Sequence, residues 1–155
     1  MVLSSLSIGA PFSALAGLGL TKFYDSPIIV DLVDIKFTLS LNAEMYFANH
    51  PNSIGLIPFF KSNDSQFSYL QLDGMKVIET REKDVFSTNA SVGVYLFRNL
   101  KSYLQAMIFA LENPEKCIVN NSYYVCPIFN GLILGQLQVD AIMVQNAEPF
   151  GKLFH

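Results

Sequence analysis

The sequence predicts an α+β protein: an antiparallel β-sheet or partly closed β-barrel with one packed α-helix. Three observations predict it. Residues 33–45, VDIKFTLSLNAEM, alternate between apolar odd positions and polar even ones, the period of a half-buried strand. Asp73-Gly74 stands between two further alternating runs in YLQLDGMKVIE, the composition of a tight hairpin. Leu96, Leu100, Tyr103, Leu104, Met107, Ile108 and Leu111 recur at spacings of three and four, the period of an amphipathic helix.

The elements follow in chain order. Residues 1–22 carry no charged side chain before Lys22. A secretory signal needs a basic start and an unbroken apolar run, and Gly9, Pro11, Gly17 and Gly19 interrupt this one. The same residues make a poor membrane-spanning helix. The stretch is therefore expected to be a neutral arm, 1–22, packed on protein ahead of a single α+β domain over 23–155. The alternating run then predicts a first strand of about 43 Å at 3.3 Å per residue, extended backwards by IIVDL and ended by Asn49-His50-Pro51-Asn52-Ser53. Ile54 to Phe60 reads as a short strand that Pro58, lacking a donor, confines to an edge or a bulge.

In the hairpin, Leu72 is expected opposite Met75 and Leu70 opposite Val77. The charged residues that follow, Glu79, Arg81, Glu82, Lys83 and Asp84, read as a solvated loop. The helix is expected over Ser91 to Glu112, with Arg98, Lys101, Ser102 and Gln105 on its wet face and Asn113-Pro114 stopping it. Turn residues at Asn120-Asn121-Ser122 and Asn130-Gly131 return the chain to strands, and Ile133 to Met143 alternates as a second long strand, the expected partner of the first. The register of the Asn120 hairpin decides the cysteines. A turn at Asn121-Ser122 sets Cys117 opposite Cys126, whereas a turn at Asn120-Asn121 sets Cys117 opposite Tyr124. Without a signal peptide the compartment is expected to be reducing and both thiols free.

Chemistry-bearing residues are few. The histidines are His50, in a turn, and His155; no serine or cysteine stands in a nucleophile motif, and no ligand spacing for a metal or a cofactor is present. Asp31 and Asp34 offer a carboxylate pair, but on opposite faces of one predicted strand. The net charge of -3 provides no basic footprint for sequence-specific nucleic-acid binding. With 51% hydrophobic and 15% charged residues, the apolar surplus is expected to be buried between subunits. The expected assembly contacts are Leu3, Leu6, Ile8, Phe12, Leu15, Leu18 and Leu20 of the arm and Pro149, Phe150, Leu153 and Phe154 of the tail.

The order strand, strand, hairpin, helix, hairpin, long strand resembles the tube and baseplate proteins of phage tails and contractile injection systems. The resemblance implies a non-catalytic structural subunit that joins other copies or other proteins in a virion, a tail-type particle or a cytoplasmic assembly, with no cofactor and no secretion signal. The alternative is a barrel module binding a small apolar ligand, its mouth lined by Phe59, Phe60, Tyr123, Tyr124 and Phe129.

Overall fold

Hydrophobic alternation is used in shorter pieces than the sequence suggests. The computed structural model describes residues 8–149. In chain order the elements are α1 (Ala10–Leu18), β1 (Ile28–Asp31), β2 (Ile35–Thr38), α2 (Ala43–Asn49), β3 (Ser53–Lys61), β4 (Ser68–Asp73), β5 (Lys76–Glu82), β6 (Asn89–Ser91) and β7 (Val94–Phe97). There follow α3 (Leu100–Glu112), α4 (Pro114–Cys117), β8 (Ile118–Val119), β9 (Ser122–Tyr123), α5 (Val125–Leu134), β10 (Gln138–Met143) and β11 (Gln145–Pro149).

Seven strands form one sheet in the order β1-β7-β3-β10-β5-β4-β6, and a further pairing of β3 with β6 closes β3, β10, β5, β4 and β6 into a ring. The α+β class and the partial closure are those the sequence predicts. The sheet is mixed, however, because β3 and β10 run parallel, and among the described residues the predicted helix is joined by four more. Pro58 explains how the ring closes. On one side β3 keeps β10; on the other it exchanges β7, opposite Gly55 and Leu56, for β6, opposite Phe59 to Lys61. Pro58 sits at that exchange, so its missing N–H leaves no gap in a ladder, and its carbonyl accepts from Val92 N at 3.2 Å. Gly93, at φ +78, makes the bend between β6 and β7, a conformation that side chains with a Cβ rarely adopt.

Several boundaries differ from the sequence reading. The expected strand over 33–45 breaks at Val33, whose φ is 59, and again at Asn42, whose Oδ1 accepts Met45 N at 2.9 Å and starts α2. The expected helix over 91–112 begins at Leu100, behind a reciprocal cap between Asn99 and Ser102. Val94–Phe97 is instead a fully buried strand, a short apolar run that periodicity cannot separate from a helical turn. On α3 the buried stripe is Ser102, Tyr103, Ala106, Met107 and Ala110. Leu104, Ile108 and Leu111 are exposed. Arg98, expected on a wet face, donates to the carbonyls of Ser53, Phe47 and His50 at 2.7, 3.0 and 2.6 Å and ties the end of α2 to β3.

The second long strand is likewise replaced: Val125–Leu134 is α5, and β10 pairs with β3 rather than with the first predicted strand. Asn130 and Gly131, read as a turn, lie inside α5. Asn130 Oδ1 accepts Thr80 N at 2.9 Å and its Nδ2 donates to Thr80 O at 2.9 Å. A Cβ on Gly131 would fall 2.2 Å from Phe109 Cβ, so glycine here sets how closely α3 and α5 approach. One turn is displaced by one residue, and the other takes the second of its two expected registers. Asp73 pairs with Lys76, leaving Gly74-Met75 as the loop; and Asn120-Asn121, at φ 49 and 62, is the turn of the β8–β9 hairpin. Cys117 O accordingly accepts Tyr124 N at 3.2 Å, and both cysteines are free and buried.

Two substitutions check these contacts by urea unfolding. Gly131→Ala should cost about 1–3 kcal/mol through overpacking against the Phe109 Cβ. Asn130→Ala should cost about 2–4 kcal/mol, since it leaves both backbone groups of Thr80 without their partner; an unchanged midpoint in either would contradict the assignment.

Candidate active site

Glu82 is the centre of the most distinctive polar arrangement in the molecule. It is the last residue of β5, and antiparallel pairing with β4 sets it opposite Ser68. The Ser68 hydroxyl donates to Glu82 Oε2 and lies 3.5 Å from the hydroxyl of Tyr95 on β7. A serine hydroxyl has one proton. With that proton committed to Glu82, Tyr95 is the donor in the longer link, so the chain of hydrogen bonds runs from Tyr95 through Ser68 to the carboxyl group. Tyr95 is buried, and burial first, then the nearby Cys126 and Glu82, push its hydroxyl well above the ordinary range.

Burial raises the Glu82 carboxyl from its ordinary 4.5 to about 7; the Ser68 hydrogen bond and the Lys83 charge oppose that rise without cancelling it. No cation forms an ion pair with it among the described residues: the ion pairs there are those of Arg81 with Glu79 and Asp84, at 2.7 and 2.9 Å. Lys83 turns away because its backbone is left-handed, at φ 54, and its Nζ donates to Tyr124 Oη at 3.0 Å. Glu82 Oε1 has no hydrogen-bond partner among the described residues, yet it is not a buried orphan. It therefore keeps some contact with solvent.

Two further carboxylates lie at the end of β1, the strand that pairs with β7. Asp31 ends β1 opposite Val94, and Leu32 N donates to Gly93 O at 3.0 Å, which ties them to the bend between β6 and β7. Asp31 Oδ1 accepts Val33 N at 2.8 Å. The left-handed Val33 breaks the strand, so the pair is not spread over opposite faces of one strand as the sequence suggested. Partial burial and then the Asp31 charge raise the Asp34 carboxyl above its ordinary range.

A second polar cluster lines an open cleft of about 500 Å³. There the buried Asp140 accepts from Tyr46 Oη at 3.0 Å and from Gln138 Nε2 at 2.9 Å, while His50 stacks on Tyr46 at 4.2 Å between centroids. Both oxygens of Asp140 thus serve the protein itself. Among the described residues no group of three or more His, Cys, Asp or Glu side chains is placed to hold a metal ion.

The residues expected to make assembly contacts divide. Phe12, Leu15 and Leu18 pack as half-buried side chains of α1 against the main core, where Phe12 meets the Tyr123 ring edge-on at 5.1 Å. Ile8 and Leu20 are 57% and 72% exposed. Pro149 ends β11 at the surface, and Leu3, Leu6, Phe150, Leu153 and Phe154 lie outside the described residues. No helix among the described residues is long and apolar enough to cross a membrane.

Glu82 was hidden in the sequence by register. The sequence reading leaves Glu79 to Asp84 in a solvated loop; the displaced turn and an irregularity between Gln71 and Leu72 set Glu82 opposite Ser68.

No protein-family model and no curated protein matches the sequence. Solved structures do. The nucleoside-diphosphate-sugar pyrophosphorylase of Vibrio cholerae RC9 superposes on 93% of this chain and 60% of its own, with a TM-score of 0.73 at 22% identity. An apo UDP-glucose pyrophosphorylase matches 95% of this chain and 56% of its own, with a TM-score of 0.66 at 14% identity. A putative glucose-1-phosphate thymidylyltransferase of Bacillus anthracis, in complex with a sucrose, matches 90% and 54%, with a TM-score of 0.63 at 16% identity. The chain thus spans between 54% and 60% of these three chains. Its fold is of the nucleotide-sugar pyrophosphorylase type.

That finding overturns the resemblance to phage tail tube and baseplate proteins, together with the reading as a non-catalytic virion or tail subunit and the exclusion of enzymatic function. The resemblance rested on an element order with a single helix, whereas α2 lies between β2 and β3 and α5 between β9 and β10. The alternative apolar-ligand barrel gains no support either. Phe129, expected at its mouth, is fully buried and stacks on Phe97 at 4.4 Å.

The site generates a pH prediction. A carboxyl whose folded value is raised binds its proton more tightly in the folded state, so its contribution to stability is complete below the ordinary 4.5 and is lost as pH rises through about 7. The protein should therefore lose up to about 3 kcal/mol between pH 5 and pH 8 from this group. Glu82→Gln should remove that part of the slope and be the more stable of the two at pH 8; parallel profiles in urea unfolding would contradict the burial of Glu82.

Proposed function

We propose that this chain contributes the sugar-phosphate-binding part of a nucleotidyltransferase that joins a nucleotide to a phosphorylated sugar or polyol. The shared fold carries this reading, and Glu82 supports it. In such a reaction a phosphate oxygen of the sugar phosphate attacks the α-phosphorus of a nucleoside triphosphate. The bond from that phosphorus to the bridging oxygen breaks, and pyrophosphate leaves with the electron pair. The chemistry is mainly positioning and charge neutralisation.

The residues suit those tasks. Glu82 Oε1, once ionised, accepts hydroxyl donors from a sugar ring. Lys83, whose Nζ donates to Tyr124 Oη, is close enough for its charge to act on Glu82. Asp31 and Asp34 fit a Mg²⁺ ion, which is held through one or two carboxylates while substrate phosphates and water complete its shell. Such an ion would neutralise charge on the transferring phosphate.

Titration of the chain with glucose 1-phosphate in the presence of Mg²⁺, followed by NMR or calorimetry, tests the proposal. Binding should tighten as pH rises from 6 to 8, because the acceptor is the ionised Glu82. Glu82→Gln should weaken it about tenfold or more and flatten its pH dependence, with Asp34→Asn abolishing only the Mg²⁺-dependent part. An unshifted spectrum at millimolar hexose phosphate, in protein that remains folded, would refute the reading.

A further inference from the structure

Lys83 follows Glu82 directly, yet the two form no ion pair. The ammonium group is held by Tyr124 instead, 3.0 Å from its hydroxyl and 5.0 Å from the centre of its ring. That hydrogen bond does most to raise the Lys83 ammonium above its ordinary range, and the Glu82 charge contributes least of the influences that raise it. Tyr124 is fixed on both sides. Before it, the β8–β9 hairpin closes with Tyr124 N donating to Cys117 O at 3.2 Å; after it α5 begins, with Tyr124 as its N-cap. Helix α5 is in turn bonded to β5, since Cys126 O accepts from Thr80 Oγ1 and Asn130 bonds both backbone groups of Thr80. Thr80 stands two residues before Glu82, and Cys126 two after Tyr124. The link between helix and strand therefore sets Tyr124 at the end of β5, where Lys83 meets it.

We propose that Tyr124 is a positioning residue of the site: its hydroxyl and ring hold the Lys83 ammonium away from Glu82, so that Oε1 stays open to a substrate hydroxyl and is not closed by a salt bridge. The proposal rests on the nucleotidyltransferase reading and deepens it. The other groups near Glu82 leave this task to Tyr124. Ser68 on β4 supplies a neutral hydroxyl. Burial keeps the Tyr95 hydroxyl on β7 and the Cys126 thiol on α5 protonated through the neutral range. Arg81 is engaged by Glu79 and Asp84. Lys83 is thus the remaining cation near the carboxyl among the described residues, and its release would let a charge-assisted bond form at Oε1.

Carbon-13 NMR titration of the Glu82 carboxyl in the ligand-free chain tests the proposal. Tyr124→Phe keeps the ring and removes the hydroxyl, and the freed Lys83 should lower the Glu82 midpoint by about one pH unit, as an opposite charge within reach does. Lys83→Met should raise the midpoint, because the Lys83 charge opposes the rise caused by burial; adding Tyr124→Phe to Lys83→Met should then change nothing further. An unmoved midpoint in Tyr124→Phe, or an equal fall with and without Lys83, overturns the proposal, the latter by making Tyr124 merely structural. A second measurement needs no substitution. In the wild type the Lys83 ε-protons should keep the ring-current shift of a side chain over Tyr124 at both pH 5 and pH 8; loss of that shift as Glu82 ionises means that Lys83 swings to the carboxylate, and overturns the proposal. Neither measurement involves sugar phosphate. If the wild type binds glucose 1-phosphate, Tyr124→Phe should bind it about tenfold more weakly at pH 8, and equal affinity counts against the proposal; if the wild type does not bind, the function is refuted and the two ligand-free measurements still decide the role of Tyr124.

Discussion

The outer edge of β5 is the constraint on which the site depends. One side of that strand is paired with β4 throughout, but β10 meets the other side only opposite Lys76. At Thr80, therefore, a buried N–H and a buried C=O face a position where no strand runs. Asn130 occupies it, donating and accepting with one amide as a neighbouring strand would, and Thr80 Oγ1 donates to Cys126 O at 2.9 Å. Buried backbone groups without partners are costly, so this three-bond clamp fixes α5 against β5. The placement of Tyr95, Ser68 and Glu82 follows, because Phe129 from the same helix packs near Tyr95, with ring centroids 6.0 Å apart.

Two acids, Asp140 buried and Glu82 half-buried, illustrate how a carboxyl group can be read. Asp140 has each oxygen hydrogen-bonded to a neighbouring side chain, and such a group joins parts of the structure. Glu82 has one oxygen bonded and one left for a visitor, in surroundings that hold the acid half-ionised near neutral pH. A group in that condition changes its charge when a hydrogen-bond donor arrives, since donors favour the ionised form. Perturbed carboxyls of this kind concentrate at functional sites. The left-handed turn at Lys83 contributes by sending the nearest ammonium group to Tyr124 rather than into a salt bridge.

The structural neighbours share a backbone with this chain at 22% identity or less. At that distance a fold says where elements lie and not what chemistry they carry. The proposed sugar-phosphate chemistry rests on the conjunction of the fold with a half-buried carboxyl group of which one oxygen is hydrogen-bonded within the protein.

The sequence by itself determined the class. Alternation and a period of three to four named strands and a helix; Asp73-Gly74 named one hairpin within one residue; the Asn120 turn named another in two registers, of which the structure takes one; and Pro58 marked an irregular point in a strand. Those signals are local, because backbone geometry at a turn or cap is decided by the residues that make it. Tertiary structure decided the rest. Asn130-Gly131 has turn composition, yet Thr80 and Phe109, 50 and 22 positions away, draw it into a helix, with the amide spent on one and the missing Cβ on the other. Residues 43–45 end a strand pattern, yet the Asn42 cap and the Arg98 bonds to Phe47 and His50 place them in α2. Glu82 looked like one charge in a solvated run, and only the register across β4 and β5 buries it beside Ser68. A period of two says which residues share a face of a strand; it does not say which strand lies opposite, and the site is made by that opposition.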